Sequence, residues 1–404
     1  MKTFRYGLDA RGYFNELYGK SFFSQVERYN AAVSKFRRQF GYGCCNLASA
    51  SGRVEFLGNH TDHNGGKVVG CAVDRDVIAA FRPVNNGVIR IRSDRHAEIS
   101  FNVGGSSCVK GGAGLALGVV EYLSQAGYAV GGFDAFTHST LPTGAGVSSS
   151  AAFETLIATI INVVYNDGRI PVSALARAGQ YAENKYLNKP CGLLDQGSSL
   201  IGGLSAFDFS DGFAYNAVAD NLKIKFALVD TGKSHADLSH LYASIPAEMF
   251  AVAEHFGKSR LIEADEVEFY ACQDALRKKL GDRPVNRAKH FFDENKRVDE
   301  LIAAFAHGDA SSVISLVNSS GDSSMNLLEN CAVDENDTAI RDAVEYARSC
   351  GDVGARVHGG GFAGTVLCVS REDDFPALYQ ALCGRYGQGA VLPMRVRTVG
   401  AMVL

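Results

Sequence analysis

The order of predicted strands and helices is the feature that most constrains how this chain can fold. Apolar residues at helical spacing, such as Phe22, Val26 and Tyr29, predict a first helix. The alternating or β-branched segments that follow it predict four strands, at residues 44–58, 68–82, 87–93 and 97–103. Because strands and helices do not alternate regularly, the sequence predicts an α+β arrangement and not a regular parallel-sheet protein.

The rest of the chain continues this irregular order. The predicted elements are a helix over 110–126, a strand over 132–140, helices over 149–165 and 172–187, strands near 200–209, 213–218 and 223–231, amphipathic helical segments over much of 235–350, and strand, helix and strand patterns over 353–397. A chain of 404 residues exceeds the size at which one hydrophobic core stops growing, so we expect two domains.

Composition and charge argue against several classes of partner. The formal net charge is −4 and no run of lysine and arginine stands out, so we expect no nucleic-acid partner. The N-terminal segment lacks an apolar signal-like stretch, and no apolar run is long enough to cross a bilayer, so we expect no membrane partner. The ten cysteines form no CxxC pair. They are typical of reduced thiols, and we expect a cytoplasmic protein.

Residues 52–66, GRVEFLGNHTDHNGG, place many hydrogen-bonding side chains beside flexible backbone. They connect two predicted strands and therefore lie on a loop. The closing Asn64-Gly65-Gly66 is a common turn sequence, because these residues readily adopt positive φ. A turn does not require the preceding Arg53, His60 and Asp62, which makes these three side chains candidates for a hydrogen-bonding role.

Residues 141–161, LPTGAGVSSSAAFETLIATII, are suited to binding phosphate. Pro142, Gly144 and Gly146 permit a tight turn, and Ser148 to Ser150 open a helix whose first amides have no internal partner. Such a helix start binds anions, and serine hydroxyls can donate to phosphate or ligate Mg²⁺. A glycine-rich turn with a serine N-cap is an equally good interpretation of this segment alone. It is not a Walker A loop, because GxxxxGK[ST] is absent.

Residues 179–203, GQYAENKYLNKPCGLLDQGSSLIGG, carry two carboxylates of interest. Asp195 follows Pro190-Cys191-Gly192, so we expect its carboxylate at an element end in a partly buried place. Glu183 lies on a helix twelve positions earlier. One carboxylate that assists Mg²⁺ and one that handles a substrate hydroxyl would suit phosphoryl transfer. In isolation, a solvated helix glutamate and a capping aspartate are the more common interpretation.

Residues 354–369, GARVHGGGFAGTVLCV, predict a strand, a glycine-rich turn and a second strand. Four glycines between positions 359 and 364 indicate backbone that approaches a neighbouring backbone or the phosphate loop closely. Hairpin geometry alone would also account for them.

These four motifs, in this order, resemble those of the GHMP small-molecule kinases and, within them, the galactokinase family. GRVEFLGNHTDHNGG is similar to the sugar-binding signature GRxNxIGEHxDYNxG, LPTGAGVSSSAAFE to the ATP-phosphate loop, CGLLDQ to the catalytic aspartate segment, and GARVHGGGFAGTVLCV to the C-terminal glycine motif. The resemblance implies a two-domain GHMP kinase fold. An N-terminal mixed-sheet domain would span 1–205 and a C-terminal ferredoxin-like domain 206–404, with the last strand, around 391–404, returning towards the first domain.

The resemblance also implies an activity: an ATP- and Mg²⁺-dependent sugar 1-kinase that converts α-D-galactose to galactose 1-phosphate, with the sugar as its small-molecule partner and a monomeric state. By similarity, Asp195 is the base or charge partner of the anomeric hydroxyl, and Arg53 lies between it and the phosphoryl group. His60 and Asp62 would bind sugar hydroxyls. Tyr242 falls about where galactokinases place a tyrosine against the sugar.

The same resemblance assigns the nucleotide end of the site. Gly144 and Gly146 would shape the loop around the phosphates, and Ser148, Ser149 and Ser150 would contact the β- and γ-phosphates. Ser150 and Glu183 would be the Mg²⁺ ligands.

Three departures from the galactokinase signature matter. Glu55 stands at the usual Asn, Asn59 at the usual Glu and His63 at the usual Tyr. In galactokinases the glutamate reaches the sugar C6 hydroxyl, so Asn59 is a substrate-binding candidate that would also tolerate a C6 carboxylate. Galacturonate, or another C6- or C2-modified hexose, is therefore an alternative substrate. A non-catalytic galactokinase-like sugar sensor is the second alternative, and the absence of tryptophan leaves the nucleotide preference open.

Overall fold

The described strands of this protein form two β-sheets. The computed structural model describes residues 14, 17–19, 22–105, 110–142, 146–189, 191–219, 222–232, 238–334, 336–362 and 364–404. Its strands are β1 Asn46–Leu57, β2 Lys67–Val84, β3 Val88–Ser93, β4 Ile99–Asn102, β5 Gly132–Ser139, β6 Leu204–Asp208, β7 Ala214–Ala217, β8 Ile224–Asp230, β9 Val353–Val357, β10 Thr365–Arg371, β11 Val391–Met394 and β12 Met402–Val403.

The described helices begin before strand β1 and continue between and after the strands. They are α1 Phe22–Phe40, α2 Gly111–Gln125, α3 Ser149–Asn166, α4 Val172–Leu187, α5 Leu194–Ile201, α6 Ser239–His255, α7 Glu266–Ala271, α8 Gln273–Leu280, α9 Asp282–His307, α10 Ala310–Ser323, α11 Ala339–Ser349 and α12 Phe375–Tyr386. None of these helices is both long and apolar enough to cross a membrane.

The large sheet is mixed and has the order β12-β1-β2-β5-β3-β4, with β6 also on β2 and β7 on β6. Of its described pairings, β3 with β5 is parallel and the others are antiparallel. The small sheet is antiparallel, in the order β11-β8-β10-β9. Strands and helices therefore follow one another irregularly, and the predicted α+β class is confirmed.

Strand β1 is irregular where it carries the candidate arginine. Its register against β2 shifts between Ser51 and Arg53 and again between Glu55 and Leu57. Such bulges redirect side chains, and they are frequent beside functional sites. Here they lie on both sides of the segment that carries Arg53 and Glu55.

Helices α2 to α5 cover one face of the large sheet and share its hydrophobic core. A Cβ atom on Gly118 of α2 would lie 2.7 Å from the Cα of Ala182 on α4. The glycine-rich run 111–118 therefore serves close helix packing. Helix α1 covers the opposite face, where Phe36 packs with Ile78 and Phe136.

The second half of the chain forms two further cores. Helices α11 and α12 pack on the small sheet through residues such as Val344 and Leu382. Helices α6 to α9 pack on one another around Ile245, Phe269 and Phe291. Helix α9 also contacts β1 and β2, so it links this helical cluster to the large sheet.

Two details differ from the sequence-based prediction. The strand expected near 200–209 begins only at Leu204, because the apolar residues before it belong to helix α5. The terminal segment is divided between the sheets: β11 pairs with β8 in the small sheet, while β12 pairs with β1 in the large one. The domain limit near residue 205 stays a prediction.

Candidate functional site

A cavity of about 470 Å³ lies between β1, the turn at 58–66, the start of α3 and the glycine turn after β9. Most of the sequence-predicted site residues line it, namely Arg53, Asn59, His60, Asp62, Gly146, Ser148, Ser149, Ser150, Asp195 and Tyr242. Glu183 lies behind this wall in contact with Ser150. Gly144 lies outside the described residues. The fold thus brings together side chains from three of the motifs, the backbone of the glycine turn in the fourth, and Tyr242.

Arg53 and Asp195 form the ion pair at the centre of this cavity. The Arg53 Nε donates to Asp195 Oδ1 at 2.6 Å, and its Nη1 donates to the carbonyl of Gly146. Burial alone would raise the pKa of Asp195, but Arg53, Lys189 and the hydrogen bonds from Arg53 and Ser148 outweigh it and lower this pKa. Asp195 is therefore ionised at neutral pH and is held in one orientation from the side of β1.

Ser148 occupies the N-cap position of α3, but its side chain does not cap the helix. It precedes α3 with left-handed backbone angles, φ 55° and ψ 58°, and its side chain makes no capping bond. Its hydroxyl donates instead to Oδ2 of Asp195. A non-glycine residue in this conformation is strained, and such strain is frequent at functional sites. The hydroxyl therefore serves Asp195 and not the helix backbone, a distinction that the sequence alone could not make.

The start of α3 presents its first amides to the cavity. Ser149 and Ser150 open the helix, and Ala152 is the first residue whose amide bonds to the carbonyl of Ser148. The amides before it have no intrahelical acceptor, and the positive end of the helix dipole adds to their attraction for anions. This end of the cavity is suited to phosphate.

Ser150, Glu183 and Lys189 form a connected cluster beside the phosphate end. The Ser150 hydroxyl donates to Glu183 Oε1 at 2.5 Å. Lys189 Nζ lies 3.0 Å and 3.2 Å from the two carboxylate oxygens of Glu183. Burial disfavours the charged form of Lys189, but Glu183 and Asp195 outweigh this effect and raise the pKa of Lys189 above its ordinary value.

The donor atoms of this cluster fit magnesium. Mg²⁺ prefers hard oxygen ligands and is usually bound by one or two carboxylates together with substrate phosphates and water. Ser150 Oγ and the Glu183 carboxylate supply such oxygens, and they adjoin the helix end suited to phosphate.

The turn after β1 holds Asp62 in an apolar, negatively charged setting. Burial, Asp195 and Glu55 raise the pKa of Asp62 to about 7, against the opposing backbone hydrogen bonds from His63 and Leu194. A Cβ atom on Gly192 would lie only 1.5 Å from Asp62 Oδ2. Glycine at position 192 is therefore required for Asp62 to occupy this place.

His60 and Tyr242 are oriented by the glycine turn on the opposite wall. His60 adopts a positive φ of 58°, and burial lowers its pKa, so Nε2 of the neutral ring donates to the carbonyl of Gly360 at 2.9 Å. The Tyr242 hydroxyl donates to the carbonyl of Gly361 at 2.9 Å. A Cβ on Gly360 would meet the Tyr242 ring at 2.4 Å, which explains why the turn carries glycine there.

The Asn59 amide lies in a closed hydrogen-bond network. Its Nδ2 donates to Glu55 Oε1 at 2.9 Å and to the carbonyl of Gly359 at 2.7 Å. Its Oδ1 accepts from Asn330 Nδ2 at 2.8 Å, and the residue is fully buried. These bonds satisfy both amide hydrogens and the oxygen within the protein. Contact between Asn59 and a sugar therefore stays a prediction.

A second cavity of about 420 Å³ shares Ser149 and Ser150 with the first. Its walls include the apolar side chains of Ile91, Ile99, Leu115 and Phe153. Charged residues of the β3–β4 connection, with Lys110, complete the lining. A ligand whose phosphates lie at the two serines can extend into both cavities.

Sequence reasoning missed several residues that position this site. Arg356 is fully buried and donates to Glu55 Oε1 and to the carbonyl of Phe56. His358 accepts from the Glu55 amide at 3.1 Å. Both lie in the motif 354–369, whose interpretation rested on its glycines. A charged residue within a predicted buried strand was the available signal, because such a group needs a partner.

Family models match the chain in three places. They are the galactokinase galactose-binding signature over residues 34–83, the GHMP kinase N-terminal domain over 114–203 and the GHMP kinase C-terminal domain over 301–388. Together these matches cover more than half of the sequence. The chain belongs to the GHMP kinase superfamily. Within it, the signature over 34–83 makes the protein galactokinase-like.

Solved structures support the same fold. Lactococcus lactis galactokinase in complex with galactose matches with a TM-score of 0.81 and 23% identity, over 93% of this chain and 100% of that chain. Methanococcus jannaschii mevalonate kinase matches at 0.61 and 14% identity, over 88% and 99%. Streptococcus pneumoniae phosphomevalonate kinase, in complex with phosphomevalonate and AMPPNP, matches at 0.62 and 12% identity, over 89% and 99%. The predicted two-domain GHMP kinase fold is confirmed.

Proposed function

We propose that this protein is an ATP-dependent sugar 1-kinase whose first candidate substrate is α-D-galactose and whose product is galactose 1-phosphate. One observation carries the proposal. Arg53 and Ser148 hold the ionised Asp195 at a cavity that joins the galactose-binding signature to the start of α3. Phosphoryl transfer requires an oriented hydroxyl and compensation of phosphate charge, and this cavity supplies groups for both.

Asp195 would orient the anomeric hydroxyl. Each of its oxygens already accepts one hydrogen bond, from Arg53 or Ser148, and a carboxylate oxygen can accept a second. Because its pKa is lowered, Asp195 is a weak base in the resting site. It would act first as a charge that aligns the hydroxyl and accept the proton late, as a loose transition state permits.

The phosphate groups of ATP would lie at the start of α3. The free amides and Ser148 to Ser150 would face the β- and γ-phosphates, and the cavity lined by Phe153 would receive the base and ribose. Ser150 and Glu183 would hold Mg²⁺, which when bound neutralises charge on the transferred group. Arg53, between Asp195 and the Gly146 carbonyl, is positioned to stabilise the charge that develops during transfer.

The sugar would lie against the turn 58–66. Asp62 and His60 face the cavity with a carboxylate and a neutral imidazole, and short polar groups held rigidly suit ring hydroxyls. The galactose-binding signature in the family match, and a structural neighbour that was crystallised with galactose, support this placement.

Galacturonate is the second candidate substrate, and one sequence observation favours it. Asn59 replaces the signature glutamate, which removes a charge that would repel a C6 carboxylate. The closed network around Asn59 weakens this candidate, so we rank it below galactose.

A coupled assay of ADP release over a panel of sugars with Mg·ATP tests the proposal. We expect galactose to give the highest kcat/KM, and phosphorus NMR of the product to show a sugar 1-phosphate. A sugar 6-phosphate would overturn the assigned chemistry. Binding of sugar and ATP without ADP release would support a non-catalytic sensor instead.

A further inference from the structure

Lys189 enters the site by a turn at the end of helix α4. Asn188 ends the helix in the left-handed conformation, with φ 50°. The amide of Lys189 then bonds back to the carbonyl of Glu183. This turn directs the lysine side chain onto the Glu183 carboxylate, although the two residues are six positions apart.

The ammonium of Lys189 and a magnesium ion would use the same oxygen atoms. Lys189 Nζ lies within 3.2 Å of both Glu183 carboxylate oxygens, and Glu183 is the proposed carboxylate ligand of Mg²⁺. The Glu183 side chain is only 1% exposed, so few directions of approach remain. When Mg²⁺ takes a Glu183 oxygen, the lysine must share this carboxylate or leave it.

A second buried carboxyl group lies within electrostatic reach of Glu183. Glu154 is fully buried, Gln196 donates to one of its oxygens, and burial together with Glu183 raises the pKa of Glu154. A buried carboxylate without a compensating charge is strongly destabilising, so Glu183 needs a cation. Lys189 compensates Glu183 until another cation arrives.

The cavity offers Lys189 an alternative place. Its side chain is 49% exposed and lines the same cavity as Ser148, Ser149 and Ser150. Lysine carries three donors on a flexible four-carbon stem, so the ammonium can swing without a change in the backbone. Phosphate oxygens at the start of α3 would be its nearest anionic partners.

We propose that Lys189 is a phosphate-contacting residue that exchanges partners. It binds the Glu183 carboxylate in the empty site and the phosphate oxygens of the nucleotide in the occupied site, which releases Glu183 to Mg²⁺. This inference rests on the proposed function, because it requires that a nucleoside triphosphate bind there. It predicts a contribution of Lys189 to nucleotide binding even without metal.

Metal-free binding of ATP tests this exchange. Isothermal titration with ATP in EDTA is compared for the wild type and Lys189→Met, which keeps the length of the side chain and removes its charge. We expect the affinity of Lys189→Met to fall about tenfold to a hundredfold, the usual worth of a hydrogen bond to a charged group. The Mg²⁺ concentration that half-restores binding should fall, because no ammonium competes for Glu183.

Lys185→Met is the matched control. Lys185 lies on the same helix, pairs with Glu121 and is 44% exposed, but it does not line the cavity. Its replacement should leave metal-free ATP binding within about twofold. Lys189→Arg, which keeps the charge, should retain most of the affinity. If Lys189→Met does not fold, Lys189→Gln can still bond to Glu183 and should show the same loss.

The outcomes separate the two proposals. Equal metal-free affinity of the wild type and Lys189→Met would overturn the exchange and reduce Lys189 to a structural partner of Glu183. A wild-type protein that binds no ATP with or without Mg²⁺ would overturn the proposed function and this inference together.

Discussion

The two ends of the cavity differ in how completely the protein satisfies its own polar groups. At the sugar end, Asn59 is saturated by Glu55, Gly359 and Asn330, and His60 is anchored by Gly360. At the phosphate end, the first amides of α3 lack intrahelical acceptors, and Ser148 is held in a strained conformation. The protein itself therefore satisfies Asn59 and anchors His60 at the sugar end, whereas the phosphate end keeps backbone donors that a ligand can use.

This difference indicates how each end should respond to change. A substitution at Asn59 or His60 should affect its neighbours, because the polar groups of these two residues have partners to lose. A substitution at the phosphate end should mainly change ligand binding and turnover.

Asp195→Asn should lower turnover by about 10²–10⁴-fold, the usual worth of acid–base catalysis. The amide keeps the shape of the side chain but loses the charge that pairs with Arg53. Single-turnover ADP release measures the effect, and sugar binding by titration calorimetry should largely survive. Near-normal turnover in the folded variant would reduce Asp195 to a structural partner of Arg53.

Gly192→Ala should weaken sugar binding by about tenfold to a hundredfold, because the new Cβ must displace the Asp62 carboxylate. ATP binding at the other end should change little. Gly384→Ala is a matched control, since a Cβ there meets no atom within 4 Å. An unchanged KM for the sugar would show that Asp62 does not bind the substrate.

The pH dependence of kcat/KM for the sugar should follow the ionisation of Asp62. Its pKa of about 7 in the empty site means that the carboxylate, the form that accepts two hydroxyl donors, becomes populated as the pH rises. We therefore expect kcat/KM for the sugar to rise about tenfold between pH 6 and pH 8. Asp62→Asn should flatten this rise. A rise that persists in the variant would assign the titration to another group.

The same raised pKa lowers the stability of the protein at neutral pH. The folded state holds the Asp62 proton at pH values where the unfolded chain has lost it, so this group lowers stability as the pH rises from about 4 to about 7. Asp62→Asn removes this loss of stability, but it also replaces one hydrogen-bond acceptor oxygen of the side chain with an amide donor. The melting temperature at pH 8 should be no lower in the variant, and a clear decrease would contradict the assigned burial.

Asn59→Glu should have the smallest effect on substrate choice and a clear effect on stability. A glutamate would place a carboxylate against Glu55 and leave the carbonyl of Gly359 without its donor. The melting temperature should therefore fall. The ratio of kcat/KM for galactose and galacturonate measures specificity in the protein that still folds. A markedly wider galactose preference would place residue 59 against C6 of the sugar.

The sequence predicted which side chains share the site better than it predicted the contacts that orient them. Arg53 and Asp195 lie 142 positions apart, yet the resemblance of their segments to galactokinase motifs implied that they share one site. Arg356 reaches Glu55 through tertiary packing, and Lys189 reaches Glu183 through the left-handed turn at Asn188. Hydrophobic periodicity reports which residues share a face, so it carried no information on either pair.

Helix α5 shows the same limit within the fold. Its apolar residues near Leu200 were interpreted as the beginning of a strand, and they belong to a two-turn helix. Short apolar runs fit a buried helix and a buried strand equally well. What distinguishes them here is packing of α5 against β1 and β2, which places Asp195 in the first turn of the helix, beside Arg53.

The turn 58–66 is supported by helix α9, which lies more than 200 positions further along the chain. Helix α9 binds its backbone, because Glu294 accepts from the Gly58 amide and His290 contacts the carbonyl of Asn59. Thr61 and the turn backbone supply local hydrogen bonds, but the N-terminal half carries the sugar signature without these contacts from α9. We expect the halves to unfold in one cooperative transition, and residues 1–205 produced alone to show no affinity for sugar.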